Sequence, residues 1–191
     1  TPALTEVNRL IDKINQFNSV ILPSIERELD NAMEKYNADA AWSLAMDPNT
    51  GEILGIASRP GFDPNNYQDY TIEEINRNLP VWMTYEPGST FKMITAAGAL
   101  EDGVVSITDT FTCGGYATVE DRRIRCHKTT GHGTETFTET VMNSCNPAFI
   151  EWGRRLGTDR FYEYFKIFGL MEKTGIDLPG EASGIMHKKE N

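Results

Sequence analysis

The sequence predicts an α+β chain, in which helices carry most of the apolar surface and a minority of antiparallel strands lies between them. Three observations predict it. Apolar residues recur at helical spacing over Leu4, Val7, Leu10, Ile11, Ile14 and Phe17, and again over Ile25, Leu29, Ala32, Met33 and Tyr36 behind Pro23 and Ser24. Two short apolar runs, Trp42 to Met46 and Ile53 to Ala57, flank the turn-forming string Asp47-Pro48-Asn49-Thr50-Gly51 and read as a β-hairpin. Beyond Ser89 the period is helical again: Phe91, Ile94, Ala97 and Leu100 share a face, and Gly103 can end the helix.

The remaining elements follow the same logic. Residues 59–80, rich in Pro, Asn, Asp and Tyr, read as a long irregular connection, a feature that is often functional. Residues 111–126 read as a hairpin turning near Glu120-Asp121. Residues 136–157 read as helical with an interruption from Ser144 to Pro147. Thr158 can cap a last helix bearing Phe161, Phe165 and Phe168 that stops at Gly169.

Composition narrows the function. With 39% hydrophobic and 10% aromatic residues, a chain of 191 residues can bury a sizeable core and is not disordered. Its 28 acidic residues outnumber 18 basic ones, for a net charge of −10, which argues against a duplex nucleic-acid partner. No apolar run is long enough to span a bilayer, and no signal-peptide pattern opens the chain.

The decisive segment is Glu86-Pro87-Gly88-Ser89-Thr90-Phe91-Lys92. Pro87 and Gly88 make a sharp approach to a helix start. Unpaired backbone N–H groups there favour negative charge near the serine oxygen. Lys92, three residues on, shares a helix face with Ser89 and can accept its proton if burial lowers the lysine pKa. A bare Ser-x-x-Lys pair is more often a helix cap followed by a solvated lysine.

The flanking residues change that balance. The segment resembles the nucleophile motif of class B penicillin-binding protein transpeptidases. Met46-Asp47-Pro48-Asn49-Thr50-Gly51-Glu52-Ile53-Leu54 resembles the hairpin that opens their sheet, and Ala57-Ser58-Arg59-Pro60-Gly61-Phe62-Asp63-Pro64-Asn65 the connection after it. Asn143-Ser144-Cys145-Asn146-Pro147-Ala148-Phe149 resembles their second motif, Ser-x-Asn. The likeness runs over residues 24–185. It implies an antiparallel sheet flanked by helices, of which this chain holds a part. Residues 1–23 read as an N-terminal helical segment, whose origin the sequence leaves open, and 24–191 as the N-terminal part of the transpeptidase domain.

The resemblance also implies roles. Ser89 attacks the penultimate D-alanine carbonyl of a peptidoglycan stem peptide. Lys92 is its base, Ser144 relays protons to the departing amine, and Asn146 holds Lys92 and a substrate amide. β-Lactams acylate Ser89. No cofactor is needed. A glycosyltransferase or divisome or elongasome membrane proteins are the expected partners, at the extracytoplasmic face of the bacterial membrane, with an anchor outside this chain. Lys173-Thr174-Gly175 matches the family's third motif in letters only: with Ile176-Asp177-Leu178-Pro179-Gly180-Glu181 it resembles a surface connection after a helix. The expected catalytic strand lies downstream, so this chain alone is expected to lack one oxyanion donor and to be catalytically crippled. A class D-like β-lactamase or penicillin-sensing domain also carries Ser-Thr-Phe-Lys, but its second motif usually ends in valine where this chain has Asn146. A non-catalytic scaffold module of the same fold is the rival from another class.

Three cysteines remain. Cys113 and Cys126 fall on opposite arms of the expected 111–126 hairpin, His132 follows, and Cys145 sits between Ser144 and Asn146, where it should point behind the site. Three thiolates and one imidazole suit a closed tetrahedral zinc site, with His127 and Asp121 as competing ligands. A Cys113–Cys126 disulfide with Cys145 as a buried thiol is the alternative. Resemblance to sporulation-type and clostridial relatives favours zinc.

Overall fold

The computed structural model describes residues 2–187, with side chains from Thr5 onward, so Leu4 of the first apolar stripe lies outside the described side chains. The chain divides into two compact units, residues 1–83 with 176–182, and residues 84–175 with 183–191.

The first unit opens with helix α1 (Pro2–Gln16), a wide-turn segment Phe17–Ile21 and helix α2 (Leu22–Tyr36). The sequence suggests two separate helices, yet the backbone stays helical throughout, and the N–H of Leu22 reaches back to the Phe17 carbonyl. Pro23 supplies the physical reason. It has no N–H for the ordinary ladder, and the turn widens just ahead of it. Asn37 ends α2 in a left-handed conformation (φ 47°), its N–H bonded to Met33 O.

Strands β1 (Ala41–Met46) and β2 (Ile53–Arg59) form the expected antiparallel hairpin, pairing Trp42 with Ser58 and Leu44 with Ile56. Asp47 closes its turn by accepting from the Asn49 N–H at 2.8 Å. Gly55 lets the helical segment lie close on β2, because a Cβ there would sit 2.6 Å from Ile25 Cδ1. Arg59 ties the end of β2 to Asp30 of α2 at 2.5 Å. The 59–80 connection is more ordered than its composition suggests. It holds a 3-10 turn (Pro64–Asp69) started by Asp63, then α3 (Ile72–Asn76), capped by a reciprocal Thr71–Glu74 box, and α4 (Leu79–Trp82).

The second unit is built on α5 (Lys92–Glu101), α7 (Asn146–Leu156) and α8 (Thr158–Ile167), with α6 (Phe137–Met142) ahead of α7. Gly98 sets the closeness of the helix packing, since a Cβ there would meet the Tyr164 ring at 2.7 Å and Leu156 at 3.1 Å. Trp152 is fully buried among Ala96, Ala99, Phe137 and Ala148, and its indole N–H donates to Thr140 Oγ1 at 3.1 Å. Thr158 does not cap α8. Gly157 holds that place with φ 80°, and it has no side chain with which to cap.

The 111–126 segment also departs from expectation. Strand β3 (Thr110–Cys113) pairs with β6 (Gly133–Thr136), and only β4 (Tyr116–Val119) and β5 (Arg122–Arg125) pair across the Glu120-Asp121 turn. Gly115 and Gly131 explain the switch. With φ 89° and 83°, each lies where a Cβ would stand 2.2 Å from a backbone carbonyl oxygen, so the chain turns out of β3 and back into β6 at close quarters.

Candidate active site and sulfur cage

Pro87 and a left-handed Gly88 (φ 61°) swing the chain into a single 3-10 turn, Gly88–Phe91, which Thr90 Oγ1 closes by donating to Pro87 O at 2.7 Å. Ser89 is exposed on this turn, one element earlier than a plain helix start would put it, and Lys92 opens α5. The face of α5 that bears Lys92 is buried at Thr95, Ala96 and Ala99, so the helix is a fixed platform for both side chains.

The second segment is equally anchored. Thr136 and Glu139 cap α6 reciprocally, and Cys145 N–H donates to Thr140 O at 3.0 Å. Ser144 takes a left-handed conformation (φ 46°), and Pro147 occupies the first turn of α7. Lys92 Nζ stands 2.9 Å from Ser144 Oγ, 2.8 Å from Ser144 O, 2.5 Å from Asn146 Oδ1 and 3.3 Å from Ser89 Oγ. All four predicted residues therefore meet at one nitrogen. Burial pushes the Lys92 pKa down, against an opposing pull from charge on Cys126 and Cys145. A lysine so placed can accept a hydroxyl proton and return it.

Sequence reasoning missed two members of this surround. The Phe149 ring lies 5.4 Å from Lys92 Nζ, and Asn146 Nδ2 donates to the Arg125 carbonyl at 2.8 Å. Phe149, four residues after Cys145 on α7, could have been found from helical spacing. A backbone acceptor leaves no trace in residue type. Lys173-Thr174-Gly175 lies exposed in irregular chain after α8, in no strand. Of the three tryptophans Trp152 is core, whereas Trp82 is 46% exposed.

Cys145 turns the other way from Ser144 and Asn146. The ligand atoms of Cys113, Cys126, His132 and Cys145 all lie within 4.8 Å of one another, and the three cysteines are buried and unbridged. Cys126 Sγ is 3.6 Å from His132 Nδ1, close to the edge of about 3.6 Å that a tetrahedral zinc with sulfur and nitrogen ligands requires. His127 Nδ1 lies 4.0 Å from Cys126 Sγ, and neither it nor Asp121 belongs to the four-residue cluster. Glu135 is buried 3.5 Å from His132 Nδ1; its Oε1 accepts from Asn143, while its Oε2 has no hydrogen-bond partner among the described residues. For Cys113, burial raises the thiol pKa, but backbone N–H groups of His132 and Gly115 bring it below the ordinary value; burial holds Cys145 well above it. Donor type, spacing and burial fit a closed zinc site.

Among the described residues no helix is long and apolar enough to cross a membrane. Residues 42–191 match the family model of the penicillin binding protein transpeptidase domain. The chain is 52% identical over 174 residues to stage V sporulation protein D of Bacillus subtilis (strain 168), covering 91% of this chain and 27% of that protein. It is 33% identical over 160 residues to the peptidoglycan D,D-transpeptidase MrdA of Acinetobacter baumannii, covering 77% of this chain and 24% of that one. It thus spans about a quarter of the length of these relatives. Among solved structures, Pseudomonas aeruginosa PBP2 in complex with WCK 5153 superposes with a TM-score of 0.70 at 29% identity, over 85% of this chain and 40% of that one. A peptidoglycan glycosyltransferase from Burkholderia ambifaria, at 22% identity and a TM-score of 0.75 over 87% of this chain and 48% of the other, shares the fold. The matched span and the order of the motifs along it agree, and the chain belongs to the penicillin-binding protein transpeptidase domain family.

Proposed function

We propose that this chain carries the nucleophile half of a serine D,D-transpeptidase that cross-links peptidoglycan stem peptides. One observation carries the reading: Lys92 Nζ lies within 3.3 Å of Ser89 Oγ and, at shorter range, of Ser144 Oγ and Asn146 Oδ1 from a separate segment. Neutral Lys92 takes the Ser89 proton as Oγ bonds to the penultimate D-alanine carbonyl carbon. The C–N bond to the terminal D-alanine then breaks, and its nitrogen receives the proton through Ser144. Attack by an amine of a neighbouring stem on the ester carbon releases Ser89 Oγ, which recovers a proton from the incoming amine through the same pair. One oxyanion donor is the Ser89 N–H; in the family the second comes from the strand that bears the third motif. β-Lactams would acylate Ser89 and stay.

The cage formed by Cys113, Cys126, His132 and Cys145 would hold a structural zinc, which joins the segments around β3 and β5 to the start of α7. Likeness to the sporulation protein supports a role in sporulation; the protein would act at the extracytoplasmic face of the cell membrane, beside a glycosyltransferase or other membrane partners. The reaction is tested in the protein bearing the whole domain. A penicillin adduct located by peptide mass mapping should sit on Ser89 and vanish in Ser89→Ala; an adduct on another residue, or rapid hydrolytic release of the drug, overturns the reading.

A further inference from the structure

The arginines of this chain fall into two groups. Arg9, Arg27, Arg59, Arg77, Arg155 and Arg160 each pair with a carboxylate, and Arg154 donates to the Thr118 carbonyl. The three arginines of β5 do not: Arg122, Arg123 and Arg125 are exposed and in no ion pair with a described residue. In a chain of net charge −10 that concentration of unpaired positive charge is a local reversal of sign.

Strand parity organises it. Arg123 and Arg125 project from the same face of β5, opposite Thr118 and Tyr116 of β4. Arg123 lies over the Tyr116 ring, its guanidinium carbon 3.6 Å from the ring centroid, a contact that restrains the side chain. Arg125 is the strand's last residue, and its carbonyl is the atom that accepts from Asn146 Nδ2 at 2.8 Å, while Asn146 Oδ1 accepts from Lys92. The root of the Arg125 side chain is therefore one hydrogen bond away from the residues that surround Ser89.

We propose that the Arg123–Arg125 face of the β4–β5 hairpin is an anion subsite that receives a free carboxylate of the stem peptide while its D-alanyl end lies at Ser89. This rests on the transpeptidase reading and adds a specificity determinant to it. The chemistry fits. Guanidinium forks bind carboxylates through paired N–H donors, and a peptide held at Asn146 passes the end of β5. Other wall anions, such as phosphate polymers, share the charge, but the tie to Asn146 favours the molecule that also reaches the nucleophile.

The test uses the protein bearing the whole transpeptidase domain and two soluble D-Ala-D-Ala stem peptides, identical except that the internal glutamate carboxylate is free or amidated. D-alanine release should favour the free acid by about two- to fivefold in kcat/KM, the size expected of exposed charge pairs, and the preference should shrink as salt rises. It should approach unity in R123Q/R125Q and return in part in R123K/R125K. Because the preference is a ratio within one protein, a general loss of activity does not mimic it, and the wild-type comparison needs no variant at all. A wild type that labels with penicillin on Ser89 but handles both peptides alike overturns the subsite alone; absence of the Ser89 adduct overturns the transpeptidase reading as well. Arginine-dependent binding of poly(glycerol phosphate) with an unchanged peptide preference overturns the assignment to the stem.

Discussion

Ser144, Cys145 and Asn146 are consecutive, yet the two faces of this turn are physical opposites. On one face, Ser144 and Asn146 present oxygens to a half-buried lysine beside an exposed serine. On the other, Cys145 is fully buried with two more sulfurs and an imidazole. The left-handed Ser144 divides them, at a cost of about 1–3 kcal/mol for such a backbone. Anchoring and proton transfer are thereby assigned to alternate residues of one tripeptide. The lesson is that the reactive face can remain loosely filled because the opposite face holds the backbone. If that division is real, the two faces should fail in different ways.

The largest effect belongs to the open face. Lys92→Ala should slow acylation of Ser89 by about 10²–10⁴-fold, the usual loss on removing a general base, while the thermal midpoint moves little. Stopped-flow acylation and a melt on the same sample check it, and a collapse of the melt would show that Lys92 is structural. The pH profile sharpens the point. The base must be neutral, and burial lowers its pKa, so acylation should rise with pH through a midpoint below the ordinary lysine value of 10.5. A midpoint at or above that value would remove Lys92 as the base.

The closed face should fail by unfolding. Cys145→Ser places a hydroxyl in a buried site that suits sulfur, which costs about 1–3 kcal/mol before any loss of metal. A chelator should lower the wild-type midpoint and leave that of Cys145→Ser where it is, and elemental analysis should find one zinc per chain. A wild-type melt indifferent to chelation would break the proposed division, because the turn would then be held without the metal.

Thr140 lies under both faces and should produce an intermediate effect. Its carbonyl accepts from the Cys145 N–H, and its hydroxyl accepts from the Trp152 indole. Thr140→Val keeps the first bond and strands the buried indole N–H, for a loss of about 1–3 kcal/mol in denaturant unfolding. Acylation by penicillin should follow the folded fraction. A selective loss of acylation at full folding would mean that strain in the floor reaches the lysine.

Legibility followed the kind of information each feature needs. The helix stripes and the 41–59 hairpin were readable because side-chain period and turn chemistry are local. Ser89, Lys92, Ser144 and Asn146 could be singled out because flanking residues placed each pair in context, and the structure brings the four together across a gap of more than fifty residues. The cysteine cluster was readable as a residue set but not as topology. Cys113 leaves the hairpin to pair with Gly133, a switch set by how closely Gly115 and Gly131 let backbones approach, and residue type alone does not report such distances. The Arg125 carbonyl was invisible for a related reason, since every residue has one.

The smallest expected effect lies away from both faces. At the C-terminal end of α5, Asp102 accepts from Arg160 at 2.5 Å and from the Tyr164 hydroxyl at 2.7 Å. These bonds hold its pKa down at about 2, against 3.8 for a free aspartate. A depressed carboxylate stabilises the folded state fully above its unfolded pKa, and that contribution disappears as the folded form takes up its proton. The stability difference between wild type and Asp102→Asn should therefore be flat above about pH 4 and shrink as pH falls towards about 2, where the native carboxylate also protonates. Taking the difference cancels the acid loss of the sulfur cage, which both proteins share. A difference that grew instead on acidification would mean that the Asp102 cluster and the cage do not unfold independently, and that anchoring extends from the turn along the whole of α5.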